Sequence, residues 1–109
     1  MDAVELYAIL EKSQGARGYH FNRDEQYTLA ILDGLLANRE RYGYMACPCR
    51  LVAGERSRDE DIICPCVYRE DDLQEYGSCY CKLYVDRTRD PELVKRTEVP
   101  ERRPPEMTD

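Results

Sequence analysis

The chain has 109 residues, a net charge of −6 and 35% charged residues. That length makes one domain with a modest core, which a metal centre or disulfides would help to hold. The negative balance and the lack of any Lys/Arg-rich run argue against nucleic acid as a partner, and no apolar run approaches the roughly 20 residues of a membrane span.

Residues Asp2 to Gln14 are expected to form a helix, because Ala3, Leu6, Tyr7 and Leu10 recur at helical spacing and Gly15 and Gly18 punctuate its end. Asn22 has the character of an N-cap, with Glu25 completing a capping-box pattern. The helix it opens is expected to run to about Tyr42, with Arg39 and Arg41 in its last turns and Gly43 as its stop. Its broad apolar face, Tyr27, Leu29, Ala30, Ile31, Leu32, Leu35 and Leu36, marks it as the core helix.

Beyond it, Arg56 to Asp61 is a charged run with room for a helical turn, and Ile62 and Ile63 are expected to be buried. Asp71 to Tyr76 has the pattern of one or two helical turns closed by Gly77, and Leu83 to Val85 that of a short extended segment. Asp90-Pro91-Glu92 reads as an N-cap followed by proline, opening a short helix through Arg96. From Pro100 to Asp109 the chain reads as an irregular tail. His20, the single histidine, is expected to be structural or at the surface.

All six cysteines lie between Cys47 and Cys81, in three C-x-C pairs: Cys47-Pro48-Cys49, Cys64-Pro65-Cys66 and Cys79-Tyr80-Cys81. The acidic N-terminus, Met1 to Glu5, lacks the pattern of a signal peptide, so the chain is expected to be cytoplasmic. In that setting clustered cysteines are metal ligands or redox thiols more readily than structural disulfides.

Thiolates are soft ligands, suited to zinc and to iron–sulfur clusters. A cubane takes four, leaving two that could form a redox-active pair. Zinc is the competitor, although structural zinc sites use C-x(2–4)-C spacings that none of the three pairs has. The C-x2-C-x2-C run of a simple ferredoxin is absent, as is a G-x-G-x-x-G dinucleotide fingerprint.

The three pairs resemble the CPC…CPC…CHC signature of the catalytic subunit of ferredoxin:thioredoxin reductase, over roughly residues 20 to 86. The resemblance implies a small, mainly α-helical fold around one [4Fe-4S] cluster, with little or no β structure, as a single domain of residues 1 to 109. It implies Cys47, Cys64, Cys66 and Cys79 as cluster ligands and Cys49 with Cys81 as an active-site disulfide. Cys49 would be the outer, attacking thiol and Cys81 the one beside the cluster. The family's histidine is replaced by Tyr80, leaving that residue either a hydrogen-bond donor in proton transfer or a packing group.

The activity so implied is reduction of thioredoxin, or a thioredoxin-like protein, by ferredoxin. A plant-type ferredoxin near −400 mV faces a thioredoxin near −270 mV, a gap of about 130 mV or roughly 6 kcal/mol for two electrons. The problem is therefore to join a one-electron donor to a two-electron bond. Arg50, Arg56, Arg58, Lys82, Arg87 and Arg89 flank the pairs and could form a basic docking patch. A small second subunit or self-association is compatible with this reading. So is a different class of function, a non-catalytic iron–sulfur or zinc module.

Overall fold

A computed structural model describes residues 1–107. Five helices cover about half of the chain, in the order α1 (Ala3–Gly15), α2 (Glu25–Tyr42), α3 (Arg56–Asp59), α4 (Arg69–Tyr76) and α5 (Pro91–Arg96). A two-stranded antiparallel sheet pairs β1 (His20–Phe21) with β2 (Tyr84–Val85), His20 opposite Val85 and Phe21 opposite Tyr84. Single 3-10 turns follow α3 at Glu60–Ile62 and close the described chain at Pro105–Met107. Each expected helix is present, with some of the ends displaced, and among the described residues β strands are confined to this small sheet. No helix among the described residues is long and apolar enough to cross a membrane.

The start of α2 differs from the expectation. Its cap is Asp24, whose carboxylate accepts the amide of Tyr27 at 3.1 Å. The Asn22 amide is already spent on the Leu83 carbonyl at 2.8 Å, which continues the sheet and delays the helix by two residues. Asn22 serves the loop instead. Its side chain accepts from the Asp24 amide and donates to the Lys82 carbonyl. Glu25 is thus the first helical residue, and no capping box forms.

The face of α2 is also narrower than its composition suggests. Leu32 and Leu35 are fully buried, Leu29, Ile31 and Leu36 pack at the margin, and Tyr27 and Ala30 are exposed. Leu32, Leu35, Ile62 and Leu83 form the dry centre, each contributing about 1.5–3 kcal/mol relative to an exposed side chain. Phe21 sits between Tyr7 and Tyr84, with ring centroids 4.8 and 5.3 Å away. Ile62 is buried as expected, whereas Ile63 is only half-buried.

Three local devices bring the cysteine pairs together. Gly43 ends α2 in the left-handed region at φ 91°, turning the chain toward Cys47. Ala46 then bridges Ile63 in antiparallel fashion, with the Cys47 amide bonded to the Ile62 carbonyl and the Cys64 amide to the Met45 carbonyl. This lays the first pair beside the second. The third pair is held from the sheet, where Ser78 bridges Val85 and the Cys79 amide donates to the Tyr84 carbonyl. The Cys64–Pro65 peptide is cis.

The segment from Pro100 has an irregular backbone up to its final turn, yet it is fastened to the domain. Arg103, 3% exposed, donates to Asp61 and to the Leu51 and Arg58 carbonyls. Arg102 pairs with Asp72 and Glu75. Thr108 and Asp109 of the expected tail lie outside the described residues.

Candidate metal and redox centre

Cys47, Cys64, Cys66, Cys79 and Cys81 line one cavity, together with Arg50, Pro65, Arg69, Tyr80 and Tyr84. Cys49 does not line it. This is the one exposed cysteine, and it faces a groove that it shares with Tyr80, Lys82, Glu98, Val99 and Pro100. Cys47, Cys79 and Cys81 are buried, while Cys64 and Cys66 are half-buried. The six sequence-identified cysteines therefore converge on one place, with Cys49 on its outer rim.

Their sulfurs interact directly. Cys79 Sγ lies 3.8 Å from Cys81 Sγ and accepts the Tyr84 amide at 3.3 Å. Cys49 is electrostatically coupled to both Cys47 and Cys81. Cys49 and Cys81 hold the Cys47 thiol well below its usual range, despite its burial. Cys47 keeps the Cys49 thiol raised, and the neighbouring Cys47, Cys49 and Cys79 raise Cys81. Cys64 is pushed up mainly by burial. As a set of free thiols, the site holds Cys47 and Cys79 low and the other four high.

Arg50 was expected among the surface cations of a docking patch, but its side chain is 1% exposed. Glu101 accepts from its Nε through both carboxylate oxygens, at 3.0 and 2.9 Å, and its Nη1 donates to Cys66 Sγ at 3.3 Å. The guanidinium lies over the Tyr80 and Tyr68 rings, 4.6 and 5.2 Å from their centroids. It is thus a buried cation set against a thiol, and it cannot serve an external patch. Other members of that expected patch also have internal partners. Lys82 donates to the Val94 and Lys95 carbonyls, Arg87 to the Phe21 carbonyl and Arg89 to the Gln74 carbonyl.

Tyr80 is half-buried and lines both the cysteine cavity and the Cys49 groove, so its ring forms part of the wall between them. His20 is exposed on β1. Sequence reasoning passed over Tyr27 as one member of an apolar face. Its hydroxyl donates to the Cys81 carbonyl at 2.5 Å, and burial together with the neighbouring cysteines pushes its pKa up to about 12.

The cavity suits a soft, anionic, sulfur-bound group. Among the described residues no three His, Cys, Asp or Glu side chains converge tightly enough to hold one metal ion; the cysteines are spread around a space instead. Two residues on its wall carry buried polar groups without a partner, Nη2 of Arg50 and the hydroxyl of Tyr84. Buried donors are nearly always satisfied, so these two imply an acceptor that the protein does not supply. A cluster held by four thiolates would supply sulfur acceptors. The donor set and its surroundings fit such a group.

The family model described as "Ferredoxin thioredoxin reductase catalytic beta chain" matches residues 3–103. The chain is similar to the "Ferredoxin-thioredoxin reductase, catalytic chain" of Porphyra purpurea, 29% identical over 70 residues, which is 62% of this chain and 56% of that one. It is likewise similar to the same-named proteins of Cyanidium caldarium, 29% identical over 86 residues (75% and 67% of the two chains), and of Guillardia theta, 31% identical over 72 residues (62% and 64%). The chain spans little more than half the length of the first of these relatives. The family match, by contrast, takes in nearly all of the residues described here, the three cysteine pairs included, and the chain belongs to the ferredoxin thioredoxin reductase catalytic beta chain family.

Proposed function

We propose that the chain is a cytoplasmic, ferredoxin-dependent disulfide reductase acting on thioredoxin or a thioredoxin-like protein. In this reading Cys47, Cys64, Cys66 and Cys79 hold one [4Fe-4S] cluster, and Cys49 and Cys81 form the exchanging disulfide. One observation carries the reading. The exposed Cys49 and the buried Cys81 are electrostatically coupled at the rim of a cavity that Cys81 and the other four cysteines line.

When bound, the cluster supplies one-electron storage beside a bond that needs two electrons to open. The chain's own residues do the exchange. With Cys47 committed to metal, Cys49, the exposed thiol, is the one that a substrate can reach. Cys49 attacks one sulfur of the substrate disulfide, forming a mixed disulfide and releasing the other sulfur as a thiolate. Cys81 Sγ then attacks Cys49 Sγ, which frees the second substrate thiol and re-forms Cys49–Cys81. The substrate gains two electrons and two protons, and Cys49 and Cys81 lose the same. Two ferredoxin-derived electrons and two solvent protons restore the dithiol.

Burial suits Cys81 to the second role and denies it the first. The Tyr27 hydroxyl holds the Cys81 backbone in place. Tyr80 separates the groove that would receive substrate from the cavity behind it.

The test is reduction of a thioredoxin disulfide by photoreduced ferredoxin in the presence of anaerobically purified protein. Turnover by the wild type, and none by Cys49→Ser at unchanged iron content, is the expected result. No turnover by fully iron-loaded wild-type protein with any ferredoxin contradicts the reading.

A further inference from the structure

Within the proposed cluster-bearing reductase, and resting on that reading, two residues of the cavity wall beside the thiols have a further role. Arg50 and Tyr84 both line the cavity, and each has a buried polar atom with no protein partner. The other donors of Arg50 are directed. Nε is engaged by Glu101 and Nη1 by Cys66 Sγ, and the flat face is covered by Tyr80 and Tyr68. These contacts hold the guanidinium in place, and its side chain is 1% exposed. Tyr84 is fixed equally, since its ring is 1% exposed, stacks on Phe21 and lies under the Arg69 guanidinium, 4.8 Å from the centroid.

Neither donor is explained by the fold. A buried unsatisfied donor is costly, and two on one cavity wall share an origin if both meet the same occupant. We infer that Arg50 Nη2 and the Tyr84 hydroxyl donate hydrogen bonds to sulfurs of the bound iron–sulfur cluster and thereby raise its reduction potential. The sign follows from charge. Adding an electron makes the sulfurs more negative, so hydrogen bonds and a nearby cation stabilise the reduced form more than the oxidised one. Glu101 opposes this. Its carboxylate partly neutralises Arg50 from outside the cavity, and its own side chain is 32% exposed. The C-terminal segment would in this way lower the potential that Arg50 raises.

The experiment is a redox titration of the cluster's visible absorption in anaerobically purified holoprotein. Tyr84→Phe keeps the ring and removes only the oxygen, so it preserves packing. It is expected to lower the cluster's electron affinity about threefold, and Arg50→Gln about tenfold, which for one electron is about 59 mV. Arg50→Lys keeps the charge without the planar fork and is expected to fall between wild type and Arg50→Gln. Glu101→Gln is expected to move the potential the opposite way. If Arg50→Gln does not retain its cluster, Tyr84→Phe and Glu101→Gln still decide the matter. Cluster-loaded Tyr84→Phe and Glu101→Gln with unchanged potentials overturn this inference and leave the reductase reading standing. Wild-type protein that contains no iron and sulfide overturns both.

Discussion

The Tyr27 hydroxyl donates to the backbone carbonyl of Cys81 at 2.5 Å, joining the first turn of α2 to the last cysteine pair. The bond fixes the peptide from which Cys81 projects toward both Cys49 and the cavity. Tyr27→Phe is expected to leave the iron content unchanged and to slow disulfide reduction about fivefold, the equivalent of one hydrogen bond of about 1 kcal/mol. Single-turnover kinetics of mixed-disulfide resolution would read it, because resolution is the step assigned to Cys81. An unchanged resolution rate would show that the bond does not position that sulfur.

Gly34 is where α2 meets the first cysteine pair. A Cβ built there would stand 2.8 Å from Pro48 Cβ. Glycine to alanine inside a helix ordinarily stabilises by about 1 kcal/mol, but neither the helix backbone nor the proline ring can yield this much. Gly34→Ala is expected to destabilise by about 1–3 kcal/mol and to lower iron per chain. Gly15→Ala, with nothing within 4 Å of its added Cβ, is expected to be neutral or mildly stabilising. Thermal unfolding and iron assays of the two variants side by side check the contrast.

Asp59 organises the loop between the first two pairs. Fully buried, it accepts from the Tyr44 hydroxyl at 2.5 Å and from the Ala53 and Gly54 amides at 3.1 and 3.0 Å. Burial alone would raise its carboxyl, but these donors and Arg103 outweigh it and hold the carboxyl below the usual range. Asp61 is lowered likewise, with Arg103 and Tyr68 overcoming burial. A carboxyl lowered in the folded state contributes stability above its unfolded pKa of about 4 and loses it as pH falls through the folded value. Asp59→Asn is therefore expected to cost about 2–4 kcal/mol at neutral pH. The gap to wild type should narrow below about pH 4. Denaturant unfolding between pH 7 and pH 3 measures this, and a gap that stays constant across the range would contradict the assignment.

The helices were legible because each carries its own punctuation. Gly43 and Gly77 both stop helices in the left-handed region, and Asp90 caps α5 ahead of Pro91, as their residue types suggest. The cysteines were legible because three C-x-C pairs are a dense chemical signal. Contacts that exist only after folding were not. Asn22 looks like a cap until its amide is seen to belong to the sheet. Arg50 looks like a surface cation until Glu101, fifty-one residues away, is seen to cover it. Arg103 appears in a charged, proline-rich segment, yet it is buried against Asp61. In each case a distant partner decides what the side chain does, and local patterning carries no trace of that partner.

The central claim is that four of the cysteines hold a cluster while Cys49 and Cys81 form a disulfide beside it. Iron, acid-labile sulfide and free thiols counted on anaerobically purified protein test it most directly. About four irons, about four sulfides and two cysteines recovered as one disulfide are the predicted result. Zinc without sulfide, or six titratable thiols after metal removal with no disulfide in the oxidised protein, would contradict it.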